Sequence, residues 1–295
     1  MQINFGDIIS RSFRIAWQYK SLWVFGLFTY SSGGTYNLDL GDVIKPAGDS
    51  VIEIGDNAFS YSDPVVVGFL LWLIFFGVLM FLCAQIAMPA LIDGINKITR
   101  GGQYRFGESF SRGLDFFLRF LGMNILLFIA IVTLVIIVAI PVAITPISLL
   151  LTIPIGIVLA FFLFHTFGLA EVAMVARDGN IIDSLAEGFT LTKQNIGNCI
   201  LMTLILIGLG IIFGIITMIF ALITFAPANL LLSHAIGDLV AIIFLGFLVG
   251  LPVSLVIGGF MGTFFNSAYI QFYFNLVDPP QPVPQTAGDA PYYGQ

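Results

Sequence analysis

RFGESFSRGLDFFLRFLGMNILLF, residues 105–128, passes without a break from a two-faced polar segment into apolar sequence that continues to Ile140. Two more versions of it stand in the chain: NFGDIISRSFRIAWQYKSLWVFGLF from Asn4 and NIIDSLAEGFTLTKQNIGNCILMTL from Asn180. Each opens on an acid (Asp7, Glu108, Asp183) and then carries apolar residues at helical spacing. In the first these are Phe5, Ile9, Phe13 and Trp17; in the second Phe106, Phe110, Leu114 and Phe117; in the third Ile182, Leu185 and Phe189. The other face holds Arg11, Arg14 and Gln18 in the first and Arg112, Asp115 and Arg119 in the second. In the third, Glu187 stands where the others have arginine. Short helices of this kind, basic on one side and aromatic on the other, lie in the headgroup plane of a bilayer. The sequence thus predicts one unit used three times.

Composition says what solvent the chain meets. Of 295 residues, 58% are hydrophobic and 9% charged, with mean hydropathy +1.02. Soluble domains carry about 25% charged residues, and apolar runs of 18 or more mark membrane-spanning helices. The runs are too long for barrel strands, which alternate over about 10 residues. The expected fold is all-α and integral to the membrane, with six transmembrane helices in three units (about 4–100, 104–178 and 180–278). The spans fall near Leu22–Tyr30, Pro64–Ile92, Phe117–Ile140, Ile147–Ala173, Ile196–Phe225 and Asp238–Thr263. The first is cleanly apolar over only half the length of a crossing and must run on toward Leu38. Pro141 and Pro146 predict a tight turn, and Pro154 a bend. A cleaved leader ending near Ser31-Ser32-Gly33 is disfavoured, because the same pattern recurs twice downstream.

Of the 11 Lys and Arg, only Lys45 falls on the side opposite the rest. The positive-inside rule makes the basic side cytoplasmic, with both termini there, in an inner membrane. The loop 33–63 is then extracytoplasmic. It is acidic, with a small hairpin expected at Val51–Tyr61, and its acids do not match a calcium loop. Residues 279–295 are Pro-rich and read as a disordered cytoplasmic tail.

The stretch GLAEVAMVARDGNIIDSLAEGFTLTKQNIGNCILMTLIL, from Gly168 to Leu206, orders small, basic, amphipathic and apolar residues in a familiar way. It resembles the six-helix integral-membrane domain found with some glycerophosphodiester phosphodiesterases and related stand-alone prokaryotic membrane families of uncharacterised function. The resemblance implies the fold over about Asn4–Val277. It carries no catalytic residue across, since the soluble phosphodiesterase barrel is not part of this sequence.

Polar groups at membrane depth are the candidates for function: Gln85, Asn124, His165 and Glu171 first, with Asn266 and Gln271 beside them. Gln85 and Asn124 suit interhelical hydrogen bonds, and Glu171 suits a pair with Arg177 or Arg119 near the end of its span. Arg11, Arg14, Lys20, Arg105, Arg112, Arg119 and Lys193 are placed to touch lipid headgroups, and Asp7 to pair with Arg11. GxxxG spacings at Gly210/Gly214, Gly246/Gly250 and Gly258/Gly262 predict close packing of the fifth and sixth spans. Cys83 and Cys199 form no CxxC and read as inert thiols. No nucleophile motif, phosphate loop, metal cluster or cofactor signature is visible, and the acidic balance does not suit nucleic acid. The expected role is a non-enzymatic membrane scaffold or accessory protein contacting lipids and partner proteins in the membrane. The alternative is a transporter or channel for a small or lipidic solute, through a cavity touching Gln85, Asn124 and His165.

Overall fold

A computed structural model of the chain describes residues 3–33, 44–46, 51–54, 57–60, 64–145, 148–231 and 251–277. Among these the helices are α1 Phe5–Gln18, α2 Leu22–Gly33, α3 Pro64–Thr99, α4 Phe106–Ile144, α5 Leu149–Ala176, α6 Ile181–Gln194, α7 Ile196–Leu231 and α8 Leu251–Val277. Three short strands lie between α2 and α3: β1 Ile44–Pro46, β2 Val51–Ile54 and β3 Asn57–Ser60, antiparallel in that order. The β2–β3 pair is the hairpin expected at Val51–Tyr61. The tail 279–295, the loop tip at 34–43 and the stretch holding Gly246 and Gly250 lie outside the described residues.

Among the described residues four helices are long and apolar enough to cross a membrane: α3 over Leu70–Thr99, α4, α5 over Leu150–Ala176 and α7 over Ile196–Ile219. The protein is therefore a helical membrane protein. α2 has 12 residues, about 18 Å at 1.5 Å per residue, short of the roughly 30 Å hydrocarbon core. Proline does not end these helices: Pro89, Pro141 and Pro154 all lie inside them. In lipid, neighbouring helices and hydroxyl side chains re-satisfy the freed backbone groups. The turn expected between Pro141 and Pro146 accordingly starts later, at Thr145.

The second leading segment departs from expectation. α4 is one unbroken helix of 39 residues, whereas α1 and α2 are separated at Tyr19–Ser21, and α6 and α7 by Asn195. The reason is local. Lys20-Ser21 and Asn195 offer side chains that compete with the helical backbone; Phe117-Leu118-Arg119-Phe120 offers none. Asn4 caps α1, its Oδ1 accepting from the Asp7 N–H at 3.3 Å. Asp7 and Arg11 do not pair; no acid lies within ion-pair distance of Arg11 among the described residues.

Burial is concentrated at one end. The buried cluster joins Ile15, Leu22 and Phe25 to Leu91–Ile95, Phe116–Met123, Leu169–Met174, Cys199, Met202 and Ile270–Tyr273. That is the end that carries the arginines and lysines. Beyond it, from Leu70 to Phe81 and from Ile125 to Val158, large apolar side chains stand exposed, as lipid-facing helices require. Three interfaces build the cluster: α3 on α4, α5 on α6, and α8 on α1 and α2. Each depends on a small residue. A Cβ at Gly113 of α4 would come within 2.5 Å of the Ile86 carbonyl of α3; one at Gly188 of α6 would strike the Thr166 carbonyl of α5. One at Gly26 of α2 would strike the Gly259 carbonyl of α8.

The glycine spacings expected to pack the fifth and sixth spans fall only partly on described residues: Gly210 and Gly214 share a pocket with Met261 and Phe265 of α8, and Phe213 between them meets Phe260, Phe264 and Phe265. At Gly210 and Gly214 of α7 an added Cβ meets nothing within 4 Å. Gly258 and Gly262 are buried, and Gly259 between them lies against Trp23 of α2. Spacing alone cannot say which neighbour a glycine face meets.

The turn after α5 carries a conformational outlier. Asp178 sits at φ +52, and the Gly179 N–H closes back on the Met174 carbonyl at 3.0 Å, a helix end that normally uses glycine. Asp178 is retained there by its carboxylate. Its Oδ1 accepts from Arg119 at 2.8 Å and its Oδ2 from Arg112 at 3.1 Å. Both guanidiniums also lie over the Phe116 ring, at 5.0 and 4.8 Å. The hydrogen bonds from Arg119, then Arg112, hold the Asp178 carboxyl below its ordinary value. A depressed carboxylate stabilises the fold above its unfolded pKa of about 3.9 and loses that contribution as pH falls through the lower native value. The pair is largely exposed, so Asp178→Asn should cost at most about 1 kcal/mol at pH 7. The difference in melting temperature from wild type should vanish well below pH 4; a difference that persists there would show that charge is not its source.

Candidate intramembrane cavity

Three of the four polar candidates from the sequence meet at one place. A cavity of about 450 Å³ is lined by Gln85 from α3, Asn124 from α4, Glu171 from α5, and Asn266 and Tyr269 from α8. Thr29 of α2 and Leu206 of α7 complete it, so six helices contribute. The remainder is largely apolar: Phe81, Ala84, Met88, Phe120, Phe164 and Phe265. The lining is not uniformly enclosed: Ala84, Gln85 and Tyr269 face the packed side of their helices, whereas Phe81 and Phe164 are also exposed at 44% and 62%.

Most of the polar lining is committed to other protein groups. Asn124 Nδ2 donates to Gln85 Oε1 at 2.9 Å and to the Phe120 carbonyl at 3.1 Å. Asn266 Nδ2 donates to Thr29 Oγ1 at 3.0 Å and to the Gly262 carbonyl at 2.8 Å. His165 does not line the cavity; it stands behind Tyr269, fully buried. Its Nε2 lies 2.7 Å from Thr203 Oγ1 and its Nδ1 3.2 Å from the Tyr269 hydroxyl. Thr203 spends its one proton on the Cys199 carbonyl at 3.0 Å. Nε2 must therefore carry the donating hydrogen, and Nδ1 is left as an acceptor; the single proton of the Tyr269 hydroxyl has Nδ1 at 3.2 Å and the His165 carbonyl at 3.4 Å in reach. A neutral imidazole satisfies the whole chain of contacts, and His165 acts as a strut that fixes Tyr269.

Glu171 is different. The cations expected to pair with it are taken: Arg177 binds Glu187 at 3.2 Å, and Arg119 binds Asp178. No cation within ion-pair distance and no hydrogen-bond donor meets the Glu171 carboxyl among the described residues. It opens instead into a space bounded by five aromatic rings, Phe81, Phe120, Phe164, Phe265 and Tyr269. Among the described residues no three His, Cys, Asp or Glu side chains come together as metal ligands.

The headgroup candidates separate into two sets. Arg112 and Arg119 turn to Asp178, and Arg105 to Glu108 at 3.3 Å. Arg11, Arg14, Lys20 and Lys193 form no ion pair with the described residues. Sequence reasoning missed Tyr269 and Thr29, since neither residue is unusual in a span. The available signal was their spacing, as Tyr269 lies three residues from Asn266 on α8.

Comparison with known proteins finds no matching family model, no similar curated protein and no similar solved structure. The likeness of Gly168–Leu206 to the phosphodiesterase-associated domain stands on that pattern of residues alone.

Proposed function

We propose that this is a non-enzymatic, six-span membrane protein whose central cavity binds and passes an amphipathic organic cation. The six spans form a ring of three leading and three returning helices. What supports the ring is the repetition of one contact. Each returning helix, α3, α5 or α8, bonds a polar side chain to the next leading helix: Gln85 to Asn124, His165 to Thr203, Asn266 to Thr29. The third bond joins the last helix to the first of them and closes the circle. The basic ends lie in the cytoplasm by the charge rule, with both termini on that side of an inner membrane.

The single observation that carries the function is the unpaired Glu171 carboxyl in an aromatic cavity. A carboxylate in an apolar interior is costly unless a positive charge meets it. Aromatic faces attract the same charge, contributing about 2 kcal/mol when water is excluded. The volume matches pockets for small organic ligands, about 300–1,000 Å³. These features move the reading from the scaffold expected first to the solute-binding alternative.

The test is saturable binding of tetraphenylphosphonium to the full chain in lipid nanodiscs. Binding in excess of empty nanodiscs, abolished when Ala84→Trp fills the cavity, is the expected result. Uptake that only follows lipid content, or that ignores Ala84→Trp, would remove the proposal.

A further inference from the structure

The three amphipathic segments that open the units, α1, the start of α4 and α6, carry a charged residue four positions after their opening acid: Arg11, Arg112 and Glu187. Two of these are neutralised within the chain. Arg112 binds Asp178, at the end of the returning helix of its own unit. Glu187 accepts from the Tyr273 hydroxyl at 2.8 Å and pairs with Arg177 at 3.2 Å. Arg11 has neither an ion pair nor a hydrogen bond among the described residues, and Arg14 one turn on has none.

The reason can be read off the two helix ends. α3 closes as α5 does: the Gly102 N–H reaches back to the Lys97 carbonyl at 2.8 Å, as the Gly179 N–H reaches Met174. The left-handed residue between is Asp178 after α5, at φ +52, and Gly101 after α3, at φ +73. The carboxylate that answers Arg112 is simply missing opposite Arg11. A pocket of about 290 Å³ lies against Arg11, between α1, the last turn of α3 and Gln271 of α8. Arg11, Arg14, Gln18, Tyr19, Thr99 and Gln271 line it. Two uncompensated guanidiniums are the donor set for a phosphate, which takes several charge-assisted hydrogen bonds at once; beside them Gln271 donates its amide to the Thr99 hydroxyl.

We infer that this pocket binds a phosphate group, and that the group belongs to an anionic phospholipid. The source follows from the rest of α1. Phe13 and Trp17, stacked on each other, are exposed at 46% and 60%. They sit on the helix that supplies the arginines, as an interfacial anchor does. An external phosphate then takes the part that Asp178 plays for Arg112. This site is separate from the central cavity and does not depend on what the cavity holds.

The full chain in detergent is titrated with short-chain phosphatidylglycerol, and separately with inorganic phosphate, and bound ligand is counted by native mass spectrometry. Arg11→Gln with Arg14→Gln should weaken phosphatidylglycerol binding at least tenfold, while Arg112→Gln leaves it unchanged. Gly101→Asp is the decisive variant. It restores the carboxylate that the α5 turn has, in a backbone conformation Asp178 already adopts, and a Cβ there meets open space. It should also weaken binding at least tenfold without lowering the melting temperature. Inorganic phosphate binding as tightly as the lipid would keep the phosphate site and overturn the lipid source. Phosphatidylglycerol binding that survives both Gly101→Asp and the double arginine variant would overturn the site itself.

Discussion

Replacing Gly188 with alanine is expected to destabilise the protein by about 2–3 kcal/mol, at the upper end of the usual overpacking cost. The added methyl has no rotamer by which to escape. It meets the Thr166 carbonyl, the Ala170 nitrogen at 2.9 Å and the Ala170 Cβ at 3.0 Å, so α5 and α6 must separate. In lipid, the hydrophobic effect gives no restoring force between helices; close van der Waals contact and hydrogen bonds do that work. Moving these helices apart therefore loses most of what holds them. Gly26→Ala should behave the same way, against the Gly259 carbonyl and the Thr263 nitrogen. Gly210→Ala and Gly214→Ala should do the opposite. No atom of the described residues lies within 4 Å of a Cβ at either position, and alanine is favoured over glycine in a helix by up to about 1 kcal/mol. Thermal unfolding of the four variants in one detergent decides it. Equal losses at Gly188 and Gly210 would mean that the helix contacts are not those described.

This contrast marks where the sequence could be read and where it could not. Helical period, opening acid and apolar continuation are local properties, and they located α1, α6 and the start of α4. The β2–β3 hairpin was local too. The GxxxG spacings were equally visible, yet Gly210 and Gly214 stand across a pocket from Met261 and Phe265 of α8 without close contact among the described residues. Such a spacing shows that a face is smooth and leaves open what presses against it. Gln85, Asn124 and Glu171 were legible as candidates because polar side chains in a span are rare. Their meeting in one cavity was not, because it requires six helices to be placed. The partner of Glu171 was misjudged for a related reason. Arg119 and Arg177 were near enough in sequence, but Asp178 and Glu187 hold them instead, Asp178 from an exposed position where pairing costs less desolvation. The break between α6 and α7 had a signal in Asn195, and the unbroken α4 had one in the lack of any such residue.

Glu171→Gln should lower the affinity for tetraphenylphosphonium about tenfold to a hundredfold, the largest functional effect expected of a single side chain here. The substitution keeps shape and volume, so cavity and fold stay as they are; only the charge goes. A desolvated charge pair contributes roughly 1.5–3 kcal/mol through its charge-assisted contact, and tenfold in affinity is about 1.4 kcal/mol, which sets that range. Gln85→Leu, by contrast, removes the acceptor of the Asn124 bond and should cost on the order of 1 kcal/mol of stability while leaving cation affinity within a factor of about three. The two variants thus separate a residue that meets the ligand from one that holds the wall. His165 gives the third arm. Because its imidazole is satisfied by Thr203 and Tyr269, His165→Asn should act through the position of Tyr269, lowering stability and affinity together. Affinity that is unchanged in Glu171→Gln but lost in His165→Asn would transfer the cation site from the carboxylate to the aromatic wall.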